Sequence, residues 1–252
     1  MIKNFINRFI PNSILKSRQK YLIKKQRNKF AKSNMRENFR EFYFKRSGFK
    51  EGENYSKFNS GPGSHKPEVV SIYLNEVENF LKSLSKKPDV VDLGCGDFYI
   101  GSKLRKLCNN YIAADIVDEL ISFNKEKYKL LNVEFRTIDI TRDELPSGDI
   151  CFVRQILQHM SNKSILGFLK SVNKYKYLIL TEHFPLSKNF VPNIDKFDGY
   201  DIRVYDNSAV VLTAPPFNLK VIKDTDLCEV RVSDALGDVE GIIKTKILQL
   251  KN

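Results

Sequence analysis

VVDLGCGD, residues 90–97, is a short apolar run that ends in an acid and opens onto two glycines one residue apart. Val90, Val91 and Leu93 read as a buried strand closed by Asp92. Gly94 and Gly96 let the backbone turn sharply and approach a ligand without Cβ interference. About 20 residues later YIAAD, residues 111–115, is a second strand ending in Asp115. An acid at that point can accept both hydroxyls of a ribose.

Outward from this stretch the chain alternates strand and helix. Strands are expected at 89–93, 111–115, 133–138, 149–153 and 177–181. Helical patterning runs through Gly101–Leu107, through Leu120, Phe123 and Tyr128, and through Leu157 to Ile165–Val172. Pro67 opens a further helix whose apolar face holds Val69, Val70, Tyr73, Val77, Phe80, Leu81 and Leu84. Repeated βα units imply an α/β fold with a mostly parallel sheet and helices on both faces. Ligands of such sheets bind at the carboxyl ends of the strands. After residue 182 the pattern loosens around Pro185, Pro192, Pro215 and Pro216. Two late strands are expected near 219–223 and 242–250.

The charge is lopsided. Of the formal net +12, residues 1–50 carry +13 and the remainder −1. The basicity therefore belongs to an N-terminal segment and suits an anionic membrane face, a nucleic acid or an acidic glycan. Ile2, Phe5, Ile6, Phe9 and Ile10 recur at helical spacing until Pro11. Asn12 or Ser13 then starts a second, very basic helix running toward Asn34. Residues 47–66 read as a Gly/Ser-rich loop. This divides the chain into a basic helical extension, 1–58, and a catalytic domain, 59–252. Residues 1–34 are a candidate contact for an anionic membrane surface.

Cys95, Cys108, Cys151 and Cys228 are scattered, with no zinc-ligand spacing, so no metal is expected. Unpaired cysteines suit a reducing cytosol. No apolar run approaches the roughly 20 residues that a membrane span needs, and no signal-peptide pattern is visible. The expectation is a cytoplasmic protein, peripheral at the inner membrane face if the arm binds lipid. The sequence sets no oligomeric state.

Asp92-Leu93-Gly94-Cys95-Gly96-Asp97 resembles motif I of the class I methyltransferases. That resemblance implies a Rossmann-like fold with a seven-stranded sheet and S-adenosylmethionine (SAM) as cofactor. It implies that the glycine loop lies against the methionine part and that Asp115 holds the ribose. The Asp139-Ile140 pair after the third strand then flanks adenine. The implied cofactor residues are Asp92, Gly94, Cys95, Gly96, Asp97, Asp115, Ile116, Asp139 and Ile140. Arg154 joins them as a contact to the cofactor carboxylate. A nicotinamide dehydrogenase fits less well: the third glycine, Gly101, lies five residues beyond Gly96, and the dinucleotide fingerprint wants it three beyond.

The stretch 138–183, with VRQILQH at 153–159 and TEH at 181–183, resembles a bacterial subgroup of these methyltransferases encoded among surface-polysaccharide and glycosyltransferase genes. SGPGS, 60–64, and GYDIR, 199–203, are reminiscent of the same subgroup, in which an Asp is expected where Gln155 stands. The resemblance implies O-methylation of a small polar or sugar-type acceptor in capsule or surface-polysaccharide biosynthesis. An alcohol acceptor benefits from a general base, and histidine titrates near neutrality. His159 and His183 follow strands four and five at the sheet's carboxyl edge and are the candidates, with His65 behind them. Asp201 and Arg203 are candidate polar contacts. The Pro215-Pro216-Phe217 run is read as a loop over the acceptor pocket or as packing. Two rivals stay open: an RNA methyltransferase using the basic arm, although the near-neutral domain makes a nucleic acid the weaker partner, and a non-catalytic SAM-binding subunit.

Overall fold

The computed structural model describes residues 12–47, 58–233 and 240–251. The helix expected over residues 2–10 lies outside the described residues. Two helices open the description: α1 (Asn12–Phe30) and α2 (Met35–Ser47). The helix expected to run toward Asn34 is α1, which ends at Phe30, and the second helix, α2, starts beyond that span. The break has a local cause. The Asn34 side chain accepts the Glu37 N–H at 2.9 Å, and the Glu37 carboxylate accepts the Asn34 N–H at 3.3 Å. This reciprocal box starts a new helix.

A one-turn helix, α3 (Pro62–His65), leads into α4 (Pro67–Lys82), which starts at its proline and buries Val69, Val70, Tyr73, Val77 and Leu81. The alternating segment follows: β1 (Val90–Leu93), α5 (Tyr99–Leu104), β2 (Tyr111–Asp115), α6 (Asp118–Lys127), β3 (Glu134–Thr137), β4 (Ile150–Arg154), α7 (Asn162–Val172) and β5 (Tyr177–Pro185). Of the last two strands, β6 (Val221–Ser233) is far longer than the 219–223 expected, while β7 (Glu240–Leu250) lies where a strand at 242–250 was expected.

These strands form one seven-stranded sheet in the order β3-β2-β1-β4-β5-β7-β6. β1 to β5 pair in parallel, while β7 runs antiparallel to both β5 and β6. Strand order reverses between β1 and β4, so the crevice for a ligand opens at their carboxyl ends. β1 is buried along its whole length because helices cover both faces of the sheet. Val91 and Leu93 join the core that holds Leu157, Phe168 and Leu248. Val90 joins the opposite core with Val77, Phe98 and Phe152. Asp92, on the same side as Val90, is carried into the protein by that alternation.

The basic extension packs on the catalytic domain. Tyr43 of α2 and Phe58 form a third cluster with Val117 and Leu120. Phe30 of α1 meets Tyr200 edge-on at 4.8 Å. Arg36 pairs with Asp118, and Arg40 with Glu119 at 2.5 Å.

Phe98 is fully buried and makes edge contacts to Tyr111, Tyr128 and Phe135 at 5.4, 5.2 and 5.0 Å. Removing a buried aromatic leaves a cavity. Phe98→Ala is expected to cost about 3–5 kcal/mol of stability in urea denaturation.

Candidate active site

The glycine turn after β1 adopts left-handed backbone at Gly94 (φ 73°) and Gly96 (φ 57°). A side chain there is excluded by space as well as strain: a Cβ on Gly96 would stand 2.2 Å from the Ser60 hydroxyl. Asp115 braces the turn from β2. One carboxylate oxygen accepts the Gly96 N–H at 3.1 Å and the other accepts the Val117 N–H at 3.2 Å. Burial pushes the Asp115 carboxyl up to about 6, against the pull of those backbone donors. Asp92 takes a hydrogen bond from the Tyr111 hydroxyl at 2.9 Å, and burial pushes it up to about 7. Asp97 accepts the Ser60 N–H at 3.0 Å and meets His65 Nε2 at 2.5 Å.

The SGPGS loop is held against this turn by Arg154 at the end of β4. Its guanidinium donates to the Ser64 hydroxyl at 3.0 Å and to the Gly63 carbonyl at 2.5 Å, and lies 4.8 Å over the Tyr73 ring. Its Nε is buried with no hydrogen-bond partner among the described residues. Gln155 follows in left-handed backbone (φ 56°) and donates its N–H to the Thr181 carbonyl at 2.6 Å. A non-glycine residue in that conformation is strain of the kind concentrated at functional sites.

Two cavities meet here. The smaller, about 90 Å³, is lined by Asp92, Gly94, Cys95, Gly96, Asp97 and Arg154, and Phe42 and Tyr43 of α2 also border it. The larger, about 390 Å³, extends between α2, the start of α4 and the 199–205 loop. Phe42, Ser60, Gln155 and His159 line both.

His159 sits on a short turn, Leu157–His159. Its Nδ1 is 3.1 Å from the Asp201 carbonyl oxygen. A carbonyl only accepts, so Nδ1 carries the proton and Nε2 carries the lone pair. Gln158 Nε2 lies 3.3 Å from that Nε2 and can donate to it. The turn is pinned by Glu182, whose two carboxylate oxygens accept the Leu157 and Gln158 N–H groups at 2.9 and 2.8 Å. Burial pushes Glu182 up to about 8. His183, next along β5, lines the larger cavity.

The remaining sequence candidates lie elsewhere. Ile116 packs beneath α2. Asp139 caps its own loop, accepting the Thr141 N–H at 3.1 Å and hydroxyl at 2.6 Å, and pairs with Arg142. Ile140 belongs to the core. Neither Asp139 nor Ile140 lines the two cavities. Arg203 corrects the expectation of a ligand contact: it is fully buried and donates to the Ile194 and Met160 carbonyls and to Asn162. Asp201 is held by Arg27 at 2.7 Å and Lys196 at 2.8 Å. The Pro215-Pro216-Phe217 run is packing: Phe217 joins the core, and Asn193 holds the Pro215 carbonyl. Tyr43, Gln158 and Glu182 escaped the sequence reading. Only Glu182, beside His183 at a strand's carboxyl end, had a positional signal.

This donor set fits a nucleoside sulfonium. The glycine turn packs its bare backbone against Ile156 and Ser60 with no space for a Cβ, Asp115 holds a carboxylate behind it, and Arg154 has a buried Nε with no hydrogen-bond partner among the described residues at the cavity wall. Residues 91–174 match the family model described as a methyltransferase domain. Over those residues, a third of its length, the chain resembles methyltransferase domains. No curated protein matches the sequence. Among solved structures, the chain is similar to the N-methyltransferase NodS from Bradyrhizobium japonicum WM9 in complex with S-adenosyl-L-homocysteine. Identity is 12%, with 86% of this chain and 99% of that one covered and a TM-score of 0.57. It is also similar to the N-terminal domain of EvdMO1, determined in the presence of S-adenosylhomocysteine and D-fucose. There identity is 14%, coverage 87% and 100%, and the TM-score 0.53. At these identities the likeness is one of fold, and the Rossmann-like class I methyltransferase fold is what the chain shares with both.

Gly96→Ala should abolish SAM binding in calorimetry, since it forces both strained backbone and contact with Ser60. The pH dependence carries a sign. A hydroxyl donor needs Asp115 ionised, and its carboxyl is held up at about 6. SAM affinity should be level above that pH and fall by about tenfold per unit below it.

Proposed function

We propose that the protein is an O-methyltransferase acting on a hydroxyl of a sugar-type acceptor in surface-polysaccharide biosynthesis, with His159 as general base. The observation that carries this reading is the His159 tautomer. With Nδ1–H on the Asp201 carbonyl, the neutral ring keeps its lone pair on Nε2, and an acceptor hydroxyl at the junction would displace the Gln158 amide, 3.3 Å away, to reach it.

The cofactor supplies an activated methyl group on a cationic sulfur. Methyl transfer is an in-line substitution, so the chain's main task is alignment. Asp115 would hold the ribose hydroxyls and Arg154 the methionine carboxylate. Gly94, Cys95 and Gly96 would lie along the methionine part, while Asp92 and Asp97 face the positive charge. Ile116, Asp139 and Ile140 are proposed for the adenine side from the resemblance alone, since none of them lines the two cavities. On the acceptor side, His159 Nε2 would take the hydroxyl proton as the carbon–oxygen bond forms. Glu182 keeps the turn in place, so that the imidazole approaches from a fixed direction. His183 is proposed as a second acceptor contact. The resemblance of 138–183 to the polysaccharide-linked subgroup supports the sugar-type acceptor. A fold neighbour determined with both S-adenosylhomocysteine and D-fucose supports it too. No group of three or more metal-ligating side chains occurs among the described residues, and the proposed route uses none.

Removing a general base costs typically 10²–10⁴-fold. His159→Gln should lower kcat by about that factor while leaving SAM affinity within about twofold. A drop in SAM affinity equal to the loss of kcat would assign His159 to the cofactor instead.

We also propose that α1 holds the enzyme at an anionic membrane surface on the cytoplasmic side. Tyr21 and Leu22 are exposed, at 65% and 51%, among the exposed cations Arg18, Lys24 and Lys25. No helix among the described residues is long and apolar enough to cross a membrane. Lys24→Glu combined with Lys25→Glu should reduce co-sedimentation with phosphatidylserine-containing vesicles by at least tenfold. Unchanged binding would contradict the surface role.

A further inference from the structure

The two joined cavities differ in charge. The smaller is walled by the carboxylates Asp92 and Asp97 and the single guanidinium of Arg154, with Asp115 behind the glycine turn. That lining suits a cationic sulfonium. In the larger cavity the balance reverses. Its ionisable lining is Lys45, Lys66, His159, His183 and Asp201, with the tyrosines Tyr200 and Tyr205. Asp201 is the sole carboxylate among those lining residues, and its side chain is fully buried between Arg27 and Lys196. Its charge is therefore answered inside the protein. Lys45 pairs with Glu41, which also binds Lys29, so that cluster keeps a net positive charge. Lys66, half-buried at the start of α4, has no ion pair among the described residues. A half-buried ammonium facing a cavity without a counter-charge is a poised anion contact, because low local dielectric strengthens its field.

Resting on the methyl-transfer reading, we infer that the acceptor is a phosphorylated compound. Its phosphate is held by Lys66 and Lys45 in the larger cavity, and the hydroxyl to be methylated is presented to His159 at the junction. The cavity's size fits this division. At about 390 Å³ it is within the range of pockets that enclose a small ligand. A neutral sugar would leave Lys66 without a counter-charge, whereas a phosphate gives both lysines a charge-assisted hydrogen bond. Placing walls of opposite sign on the two sides of the junction also discriminates: a cationic acceptor, such as a protonated amine, is repelled from the larger cavity.

The test is calorimetric titration of the full-length chain, with and without saturating S-adenosylhomocysteine. The probes are inorganic phosphate, a hexose 1-phosphate, a nucleoside diphosphate and the unphosphorylated hexose. The phosphorylated probes should bind, and the plain hexose at least tenfold more weakly. Lys66→Gln should weaken the phosphorylated probes about tenfold and flatten their salt dependence, with Lys66→Arg restoring most of the loss. S-adenosylhomocysteine affinity should not change in either variant, which also shows that they fold. Tightest binding of the nucleoside diphosphate assigns the phosphate to a nucleotide-linked acceptor. Tightest binding of the hexose 1-phosphate assigns it to a phosphomonoester. Hexose binding as tight as its phosphate, or phosphate binding untouched by Lys66→Gln, would overturn the inference. Failure of S-adenosylhomocysteine to bind the unmodified chain would instead strike the methyl-transfer reading, and the titrations without it judge the phosphate site independently.

Discussion

Asp201 is the residue on which the geometry of the site depends. Its carboxylate is fully buried, a costly arrangement unless the charge is paired and hydrogen-bonded. Arg27 reaches it from α1 and Lys196 from the loop after β5. Lys196 also donates to the carbonyls of His159, Phe197 and Gly199, so one ammonium gathers the His159 turn and the 197–201 loop around itself. With the side chain fixed, the Asp201 carbonyl oxygen is fixed too, and that oxygen receives His159 Nδ1–H. Removing either cation would strip a buried carboxylate of one of its two partners and loosen the imidazole at the same time. The basic extension is therefore part of the site: Arg27 lies in α1, and Tyr43 of α2 borders the smaller cavity.

From that hub the chemistry divides cleanly. β1 and β2 supply glycines and carboxylates whose backbone and charge suit a nucleoside sulfonium. β4 and β5 supply the residues at the junction: Arg154, the strained Gln155, the His159 turn and the Glu182 clamp beneath it. The acceptor side is built largely from segments outside the repeating βα units, namely α2, the start of α4 and the 199–205 loop. The common core explains the shared fold with NodS and the EvdMO1 domain, and the added segments are where acceptor choice resides on the proposed reading.

How much of this was legible in the sequence depended on the range of the interactions. β2 was read to the residue because YIAAD ends at Asp115 and the next strand begins only after a helix. The glycine turn was legible because its chemistry is confined to four consecutive residues. The sheet's carboxyl edge placed His159 and His183 near each other with no need of side-chain detail. β6 was underestimated because it lies at the sheet's edge, where its exposed positions carry Lys223, Asp224 and Glu229 in place of an apolar run. The start of α2 was written locally, in Asn34 and Glu37, yet the continuous basic charge masked it. Arg203, expected as a polar contact, and Lys196, which carried no sequence signal, turn out buried because burial of a charge depends on partners far along the chain, here Met160, His159 and Asp201. Asp139 and Ile140 kept their places after β3, but Asp139 spends its hydrogen bonds on its own loop.

The most direct test is to incubate the purified protein and methyl-labelled SAM with a cell extract. The products are then separated into RNA, protein, lipid-linked glycan and sugar-nucleotide fractions. Label in the glycan or sugar-nucleotide fractions, resistant to ribonuclease and lost with the His159→Gln protein, is the expected result. Label in RNA that disappears with ribonuclease, or in protein, would contradict the O-methyltransferase reading. Label in no fraction despite measured SAM binding would contradict catalysis and leave a cofactor-binding subunit.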